Sequence, residues 1–141
     1  MVVMSVARWA VTPLAVSREP GGAARVGYAA QFCETCGSAV SPDGSALFVA
    51  DYNHKIRRVE VTTGAVTTVA GSTEGSADGV GGAAQFHNPS GVAISPDGSA
   101  LFVATNHKIR RVEVATGAVT TVAGSGAEGS ADGVGDAAQF S

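Results

Sequence analysis

Histidines, cysteines and loop aspartates are the side chains of this sequence whose types could support chemistry. His54 and His107 occupy equivalent places in two Asn-His-Lys-Ile segments. A metal or catalytic site would need such histidines to converge with carboxylates from several structural units. The structural alternative, which we favour, is that each Asn-His pair shapes a turn and the imidazole bonds to nearby backbone. His87 lies in a loop, and its case as a ligand is weaker.

Cys33 and Cys36 form a Cys-x-x-Cys pair, which can indicate zinc or redox chemistry. A zinc site needs four ligands, and the sequence offers no second cysteine pair and no histidine close by. Redox activity of the thioredoxin kind needs a helix N-terminus to lower the thiol pKa, whereas the expected context is a loop that enters a strand. We therefore expect ordinary thiols or an adventitious disulfide, and their oxidation state stays open.

Two glycine-rich segments, Asp78–Gly81 and Asp132–Gly135, bear a faint likeness to calcium-binding loops. Each is preceded four residues earlier by one glutamate, and these are the local carboxylate pairs. Neither segment has the several spaced oxygen ligands of an EF-hand. Neither precedes a helix of useful length, so phosphate binding is also disfavoured. We interpret both Asp-Gly steps as turns.

The composition is typical of strands and turns, because 45% of the residues are apolar, mostly Val and Ala, and Gly occurs 19 times. The formal net charge of −3 disfavours nucleic-acid binding through bulk electrostatics. Residues 1–16 are fairly apolar, but Arg8 interrupts them and no basic residue precedes it, so a signal peptide is disfavoured. No run approaches the roughly 18 apolar residues of a membrane span. No cofactor is indicated, and the compartment stays open.

An internal repeat decides the architecture. Ser41–Gly44 recurs as Ser95–Gly98, which is 54 residues later. Phe32, Phe86 and Phe140 each end an Ala-Ala-Gln-Phe tetrad at the same spacing. The two copies are nearly identical, which indicates a recent duplication and says nothing about which positions matter for function.

Each repeat has the pattern of four short strands joined by hairpin-length turns, which predicts an antiparallel meander. The strands are expected near 37–41, 45–51, 55–61 and 65–70 in one copy, and near 91–95, 100–104, 108–114 and 118–123 in the other. The long segment from Gly124 to Phe140 should end in one helical turn at Ala137–Phe140 that drops Phe140 between two sheets, and Phe32 and Phe86 should do the same. Burying such a ring contributes about 2 kcal/mol. Tandem four-stranded units are typical of a propeller, and a solenoid of stacked hairpins is the alternative.

Several linked motifs resemble the NHL repeat. They are Pro89–Ala93, Leu47–Asp51, and the Asn-His-Lys-Ile-Arg segments at 53–57 and 106–110. The resemblance implies an all-β fold of four-stranded propeller blades, here an incomplete fragment of a six-bladed NHL/TolB-like propeller. Residues 1–26 would be a divergent partial blade (outer strands) with its loop. Residues 27–86 and 87–141 would be two repeat blades with long crossing loops, the second ending at the start of the next repeat.

The family-motif residues are expected to be structural: Asn53, His54, Ile56, Asn106, His107, Ile109, Phe32, Phe86 and Phe140. The sequence departs from the family pattern after its second strands, where Asp51 and Asn53 are separated by one residue and the later copy has Thr105 with no aspartate. An aspartate-dependent role at this turn is therefore doubtful in the second blade.

Basic residues on the third strands form the candidate binding surface: Lys55, Arg57, Lys108 and Arg110. RNA-binding NHL proteins use a basic propeller face, but the acidic loops beside this stripe argue against RNA. The neighbouring arginines, Arg58 and Arg111, should each pair with a glutamate two residues later on the same strand face.

The sequence favours a non-catalytic scaffold whose loops bind a protein partner, because no catalytic constellation emerges. One alternative is part of a propeller enzyme of the lactonase or amidating-lyase type, with a divalent metal in the central channel. Another is a truncated repeat remnant without independent function. Open blade edges could also allow self-association.

Overall fold

Both repeats fold into antiparallel β-sheets. The computed structural model describes residues 2–5, 10–13, 32 and 35–141, with backbone alone at 2–5, 10–13 and 35–36. The strands are β1 (Val2–Ser5), β2 (Ala10–Pro13), β3 (Thr35–Val40), β4 (Ala46–Asp51), β5 (Lys55–Glu60), β6 (Val66–Ala70), β7 (Gly79–Val80), β8 (Gly91–Ile94), β9 (Ala100–Thr105), β10 (Lys108–Glu113) and β11 (Ala118–Ala123). None of the helical segments in the described ranges has the length and apolar character needed to cross a bilayer.

The two complete sheets confirm the predicted meanders. One sheet, here called blade 1, has the order β3-β4-β5-β6, and blade 2 contains β8, β9, β10 and β11 as consecutive neighbours. The predicted strand ends agree with the observed ones to within two residues. β1 pairs antiparallel with β2, and most of the predicted partial blade at 1–26 lies outside the described residues.

The blades pack face against face with their first strands closest together. A Cβ added to Gly37 in β3 would lie 2.6 Å from the carbonyl oxygen of Ser90, so only glycine fits where the two innermost strands meet. Alternate residues of each strand face opposite sides of its sheet. The rear face of blade 1, which includes Ala46 and Phe48, forms one buried cluster with Leu101 and Val112 on the front face of blade 2. The front face of blade 1 buries a second cluster, centred on Leu47, Val49, Val59 and Val66, against Phe32.

A fifth strand in the second sheet was not predicted. β7 belongs to the crossing segment that leaves blade 1, and it pairs with β11 at the outer edge of blade 2 through Val80 opposite Ala118 and Gly79 opposite Val119. The amide of Gly81 then donates to the carbonyl of Gly117 at 2.9 Å. We call residues 77–81 the strap. A two-residue strand shows no alternation in sequence, so pattern analysis could not reveal it.

The helical turn predicted at Ala137–Phe140 lies two residues earlier, as a 3-10 turn at Gly135–Ala137 with a counterpart at Gly81–Ala83. Ala138 is already extended, with ψ 152°, and this directs the chain toward the phenylalanine. The expected burial holds for Phe86, which is fully buried, whereas Phe140 is 37% exposed. The difference arises because no sheet among the described residues covers the rear face of blade 2.

The Ser-Pro-Asp-Gly segments form the turns between first and second strands, as their sequence predicts. Asp43 accepts hydrogen bonds from Ser41 Oγ at 2.7 Å, from the Ser45 amide at 2.9 Å and from Ser45 Oγ at 2.8 Å. Asp97 receives the same set from Ser95 and Ser99. These donors, with the first serine of each turn foremost, lower the pKa of each aspartate from 3.8 to about 2.

We expect the stabilisation from these two turns to be lost in acid. A carboxyl group whose pKa is lower in the folded than in the unfolded chain stabilises the fold above its unfolded pKa, and this stabilisation disappears as the pH falls through the folded pKa. The window is therefore from 3.8 down to about 2. Carboxyl-carbon NMR titration should place the Asp43 midpoint near the lower value, and Ser41→Ala should move it upward. A wild-type midpoint at 3.8 would contradict this interpretation.

Candidate functional site

Each blade presents two different ends. At one end the crossing segments, 71–90 and 124–141, lie partly beside the short turns between second and third strands, as shown by the Asn106 amide donating to the His87 carbonyl at 3.0 Å, while the strap reaches the third turn of blade 2 at Gly117. We call this end the loop face. At the other end, the hairpin face, the first and third turns meet, as shown by the Val61 amide donating to the Ser45 carbonyl at 2.9 Å.

The histidines of the Asn-His segments shape the turns on the loop face. His54 and His107 have φ angles of 62° and 57°, in the left-handed region that non-glycine residues seldom adopt. His107 Nδ1 is 2.9 Å from the carbonyl oxygen of Phe140, so its imidazole bonds to backbone. His87 Nε2 lies 3.2 Å from Glu74 Oε1. Across the described ranges, no three His, Cys, Asp or Glu side chains come together in a way that could hold a metal ion.

The two crossing segments share one internal hydrogen-bond scheme. The Gly75 amide donates to the Phe86 carbonyl at 3.2 Å, and Gly129 donates to Phe140 at 3.1 Å. A Cβ on either glycine would lie 2.3 or 2.4 Å from the amide oxygen of the glutamine that precedes the phenylalanine. The glycines therefore allow that side chain to fill each loop, and the two loops repeat this arrangement around the glutamine.

The prediction of a basic surface stripe is wrong for its two arginines. Arg57 and Arg110 are both fully buried, because each points into the packing on the front face of its sheet. Lys55 and Lys108 remain partly exposed. Two lysines without the arginines do not make a continuous basic surface.

Arg57 is paired within its own blade. Its Nη1 atom lies 3.1 Å from Asp51 Oδ2, with both side chains fully buried, and its guanidinium is 5.3 Å from the centre of the Phe32 ring. Burial lowers the pKa of Arg57, and the Asp51 charge opposes that shift. Asp51 also accepts a hydrogen bond from the Asn53 amide at 3.1 Å, so the same carboxylate fixes the following turn.

Arg110 is paired across the seam between the blades. Its Nη2 atom donates to Asp78 Oδ1 of the strap at 2.7 Å and to the Ala77 carbonyl at 3.0 Å. Its Nη1 atom donates to the Gln85 carbonyl at 3.1 Å, and the guanidinium is 5.5 Å from the centre of the Phe86 ring. One buried arginine of blade 2 thus holds the crossing segment from blade 1 at Ala77, Asp78 and Gln85.

Asp78 is also bound to the outer strand of blade 2. Thr121 Oγ1 donates to Asp78 Oδ1 at 3.0 Å, and the Thr121 amide donates to Oδ2 at 3.3 Å. Burial acts to raise the pKa of Asp78, but the hydrogen bonds from Thr121 and Arg110 outweigh it and hold the pKa below its ordinary value. The carboxylate is therefore ionised at neutral pH and clamps the strap.

The aspartate opposite each arginine comes from a different place in the two blades. Thr105 stands where blade 1 has Asp51, and its hydroxyl donates to the Lys108 carbonyl at 3.2 Å. The strap residue Asp78 takes over the pairing with Arg110. Sequence reasoning noticed the missing aspartate but not its replacement, although the retained arginine was a usable signal.

The exposed strand pairs predicted from alternation are present. Arg58 contacts Glu60, and Arg111 contacts Glu113, each on one face of its third strand. All four side chains are about a third exposed, and such screened pairs contribute about 0–1 kcal/mol each. They are surface pairs of the strands and do not mark a site.

A groove of about 400 Å³ opens on the hairpin face between the two Ser-Pro-Asp-Gly turns. Its lining residues include Phe48, Arg58, Asp43 and Asp97. Both aspartates are already bonded to serines of their own turns. These hydrogen bonds all end on Oδ1 of each aspartate and belong to the turns themselves.

Comparison with known proteins identifies the repeats. No family model matches the sequence. The chain is 37% identical over 93 residues to NHL repeat-containing protein 2 of Gallus gallus, an alignment that covers 64% of this chain and 12% of that protein. It is 31% identical over 121 residues to Protein SUPPRESSOR OF QUENCHING 1, chloroplastic, of Arabidopsis thaliana, covering 78% of this chain and again 12% of the relative. The chain thus spans about an eighth of these relatives.

Solved structures agree on the fold. An auxiliary nutrient binding protein from Bacteroides thetaiotaomicron superposes with a TM-score of 0.74 at 22% identity, over 97% of this chain and 35% of that protein. Identity at this level supports the architecture alone. The matches in sequence and in structure concern the same repeated four-stranded unit. The units of this chain are NHL-type repeats, and they fold as consecutive blades of a β-propeller.

Proposed function

We propose that this chain is a non-catalytic binding module that receives a protein partner on its loop face. The observation that carries the proposal is the repeated set of internal hydrogen bonds in the two crossing segments, which holds equivalent exposed residues in the same local conformation. A preformed loop surface loses little conformational entropy when a partner binds. The ion pairs at Asp51 and Asp78 stabilise the blades, whereas the other carboxylates of the crossing segments are exposed, with Glu74 3.2 Å from His87 Nε2.

The charge of the loop face indicates the chemistry of that partner. The crossing segments at 71–90 and 124–141 contain no Lys or Arg. Apart from Asp78, which pairs with Arg110, their acidic residues are all exposed: Glu74, Glu128, Asp132 and Asp136. Complementary charge favours association and fixes orientation. A partner with basic side chains on its docking surface fits this face best.

The metal-dependent enzyme alternative requires histidines and carboxylates from at least three blades around one ion. The described residues contain two complete blades, and nothing in them favours that function. The alternative of a remnant without function predicts that no partner binds, so the experiment below also tests it.

Neutralising the loop glutamates should weaken partner binding, while the same change of charge at the other end should not. Glu74→Gln/Glu128→Gln raises the net charge by two on the loop face. Thr62→Lys/Ala115→Lys raises it equally at exposed positions of the hairpin face. Affinity capture followed by titration calorimetry should show about a tenfold loss for the first variant, with a reduced salt dependence, and no loss for the second. Equal binding by both variants would reject the loop face as the docking surface.

A further inference from the structure

No sheet in the described part of the chain covers the rear face of blade 2, whereas its counterpart on blade 1 is covered. Phe48 is 2% exposed on blade 1, and the equivalent Phe102 is 37% exposed on blade 2. The segment equivalent to the strap, Ala131–Gly135, pairs with no strand among the described residues, and Val134 within it is 90% exposed. The structure therefore shows the same rear face twice, once covered by the next blade and once without a covering blade among the residues it describes.

The occupied copy shows what kind of surface fits. Blade 2 covers blade 1 with an apolar front face, offers the edge of β11 to the strap and presents Arg110 to Asp78. Asp132 stands at the strap position that Asp78 occupies one repeat earlier. By continuity with this interface, the open surface fits another four-stranded blade with an arginine at the corresponding place in its third strand.

The aspartates add a rule about which blade is accepted. Blade 2 has Thr105 at the end of its second strand, and the crossing segment that reaches it brings Asp78. Blade 1 has Asp51 at that place, and the residue 54 positions before Asp78 is Ala24. Each blade is therefore supplied with one aspartate for its buried arginine. In blade 1 it stands at the end of the second strand, and in blade 2 it comes from the preceding crossing segment.

We propose that Asp132, Val134, Phe140 and the rear face of blade 2 form a docking surface for one further blade of the Thr105 kind. Such a blade carries the buried arginine and ends its second strand without a carboxylate, so Asp132 completes its ion pair. A blade of the Asp51 kind is disfavoured, because its arginine already has a carboxylate beside it and two carboxylates would compete for one guanidinium.

This rule excludes blade 1 of a second copy as the occupant. Arg57 is paired with Asp51, and Phe32 already packs on the front face that would have to dock. The front face of the second copy's blade 2 is covered by its own blade 1. The surface is therefore specific for a separate blade and does not direct the chain toward dimers.

The first arm of the test uses the seam that is already formed. Thr105→Asp supplies Arg110 with a carboxylate from its own blade, so the strap should loosen while the sheets stay folded. Hydrogen exchange of the Gly81 amide, which the strap holds against Gly117, should become about tenfold faster, with Thr105→Asn as the control of similar size. Unchanged Gly81 exchange in the aspartate variant would overturn the selection rule.

The second arm supplies the missing blade by appending a second copy of residues 88–141 after Ser141 of the full chain. The Gly135 amide should become protected in the manner of Gly81, and Asp132→Ala should remove that protection. An appended copy that carries the Thr105→Asp change should dock about tenfold more weakly, measured by the same amide. The proposal would be overturned, even if the first arm succeeds, if the Gly135 amide of the extended chain exchanged without protection. It would also be overturned if that amide stayed equally protected after Asp132→Ala and after Thr105→Asp in the appended copy.

Discussion

Phe86→Ala is expected to destabilise the protein by about 3–5 kcal/mol, because it removes a fully buried ring from the seam between the blades. The ring packs in the same cluster as Phe48 and Leu101, and it also lies under the guanidinium of Arg110. Its loss leaves a cavity and deprives the arginine of a favourable ring contact. Urea unfolding followed by circular dichroism measures the change.

Phe140→Ala is the matched control in the same structural context. Its ring is 37% exposed and borders a surface with no covering sheet in the described residues. The same chemical change should therefore cost about 1–2 kcal/mol. Equal losses for the two phenylalanines would mean that the seam is not the place where Phe86 contributes.

Asp51→Ala is expected to cost a similar amount, about 3–5 kcal/mol, because it leaves Arg57 as a buried charge without its carboxylate. Asp78→Ala should cost less, about 1–3 kcal/mol. The Asp78 side chain is 50% exposed, and Arg110 keeps its bonds to the carbonyls of Ala77 and Gln85. Urea unfolding of both variants gives the comparison.

Asp51→Ala should lower the free energy of unfolding more than Asp78→Ala does. Asp51→Asn keeps the shape of the side chain and should recover only part of the stability, since a neutral amide cannot balance the arginine. If Asp78→Ala were the more damaging substitution, the pairing within blade 1 would be weaker than its geometry indicates.

The blades could be predicted from sequence because short runs rich in Val, Ile and Phe are bounded by turns that each carry their own signal. Ser-Pro-Asp-Gly and Ala-Thr-Gly mark the corners so clearly that β9 and β10 fall almost where they were expected. The period of 54 residues then fixes the tandem arrangement, since neighbouring sheets of identical pattern must bury equivalent faces.

The strap and the buried arginines could not be predicted in the same way. The strap β7 is too short for any periodicity, and its pairing joins Val80 to a residue 38 positions later. Arg57 and Arg58 are adjacent, so alternation places one on each face but does not tell which face is covered. In a propeller both faces meet neighbouring blades, so the fold alone does not separate the buried Arg57 from the partly exposed Arg58.

Consecutive blades are joined by a strap that crosses the seam, and backbone contacts between Gly79 and Val119 test this arrangement most directly. These residues are directly opposite each other in the antiparallel pairing of β7 with β11. Nuclear Overhauser spectroscopy of the whole chain should show cross-strand contacts between Gly79 and Val119, alongside the contacts within each sheet. Sheets with intact internal contacts but no contact between these two residues would contradict the account.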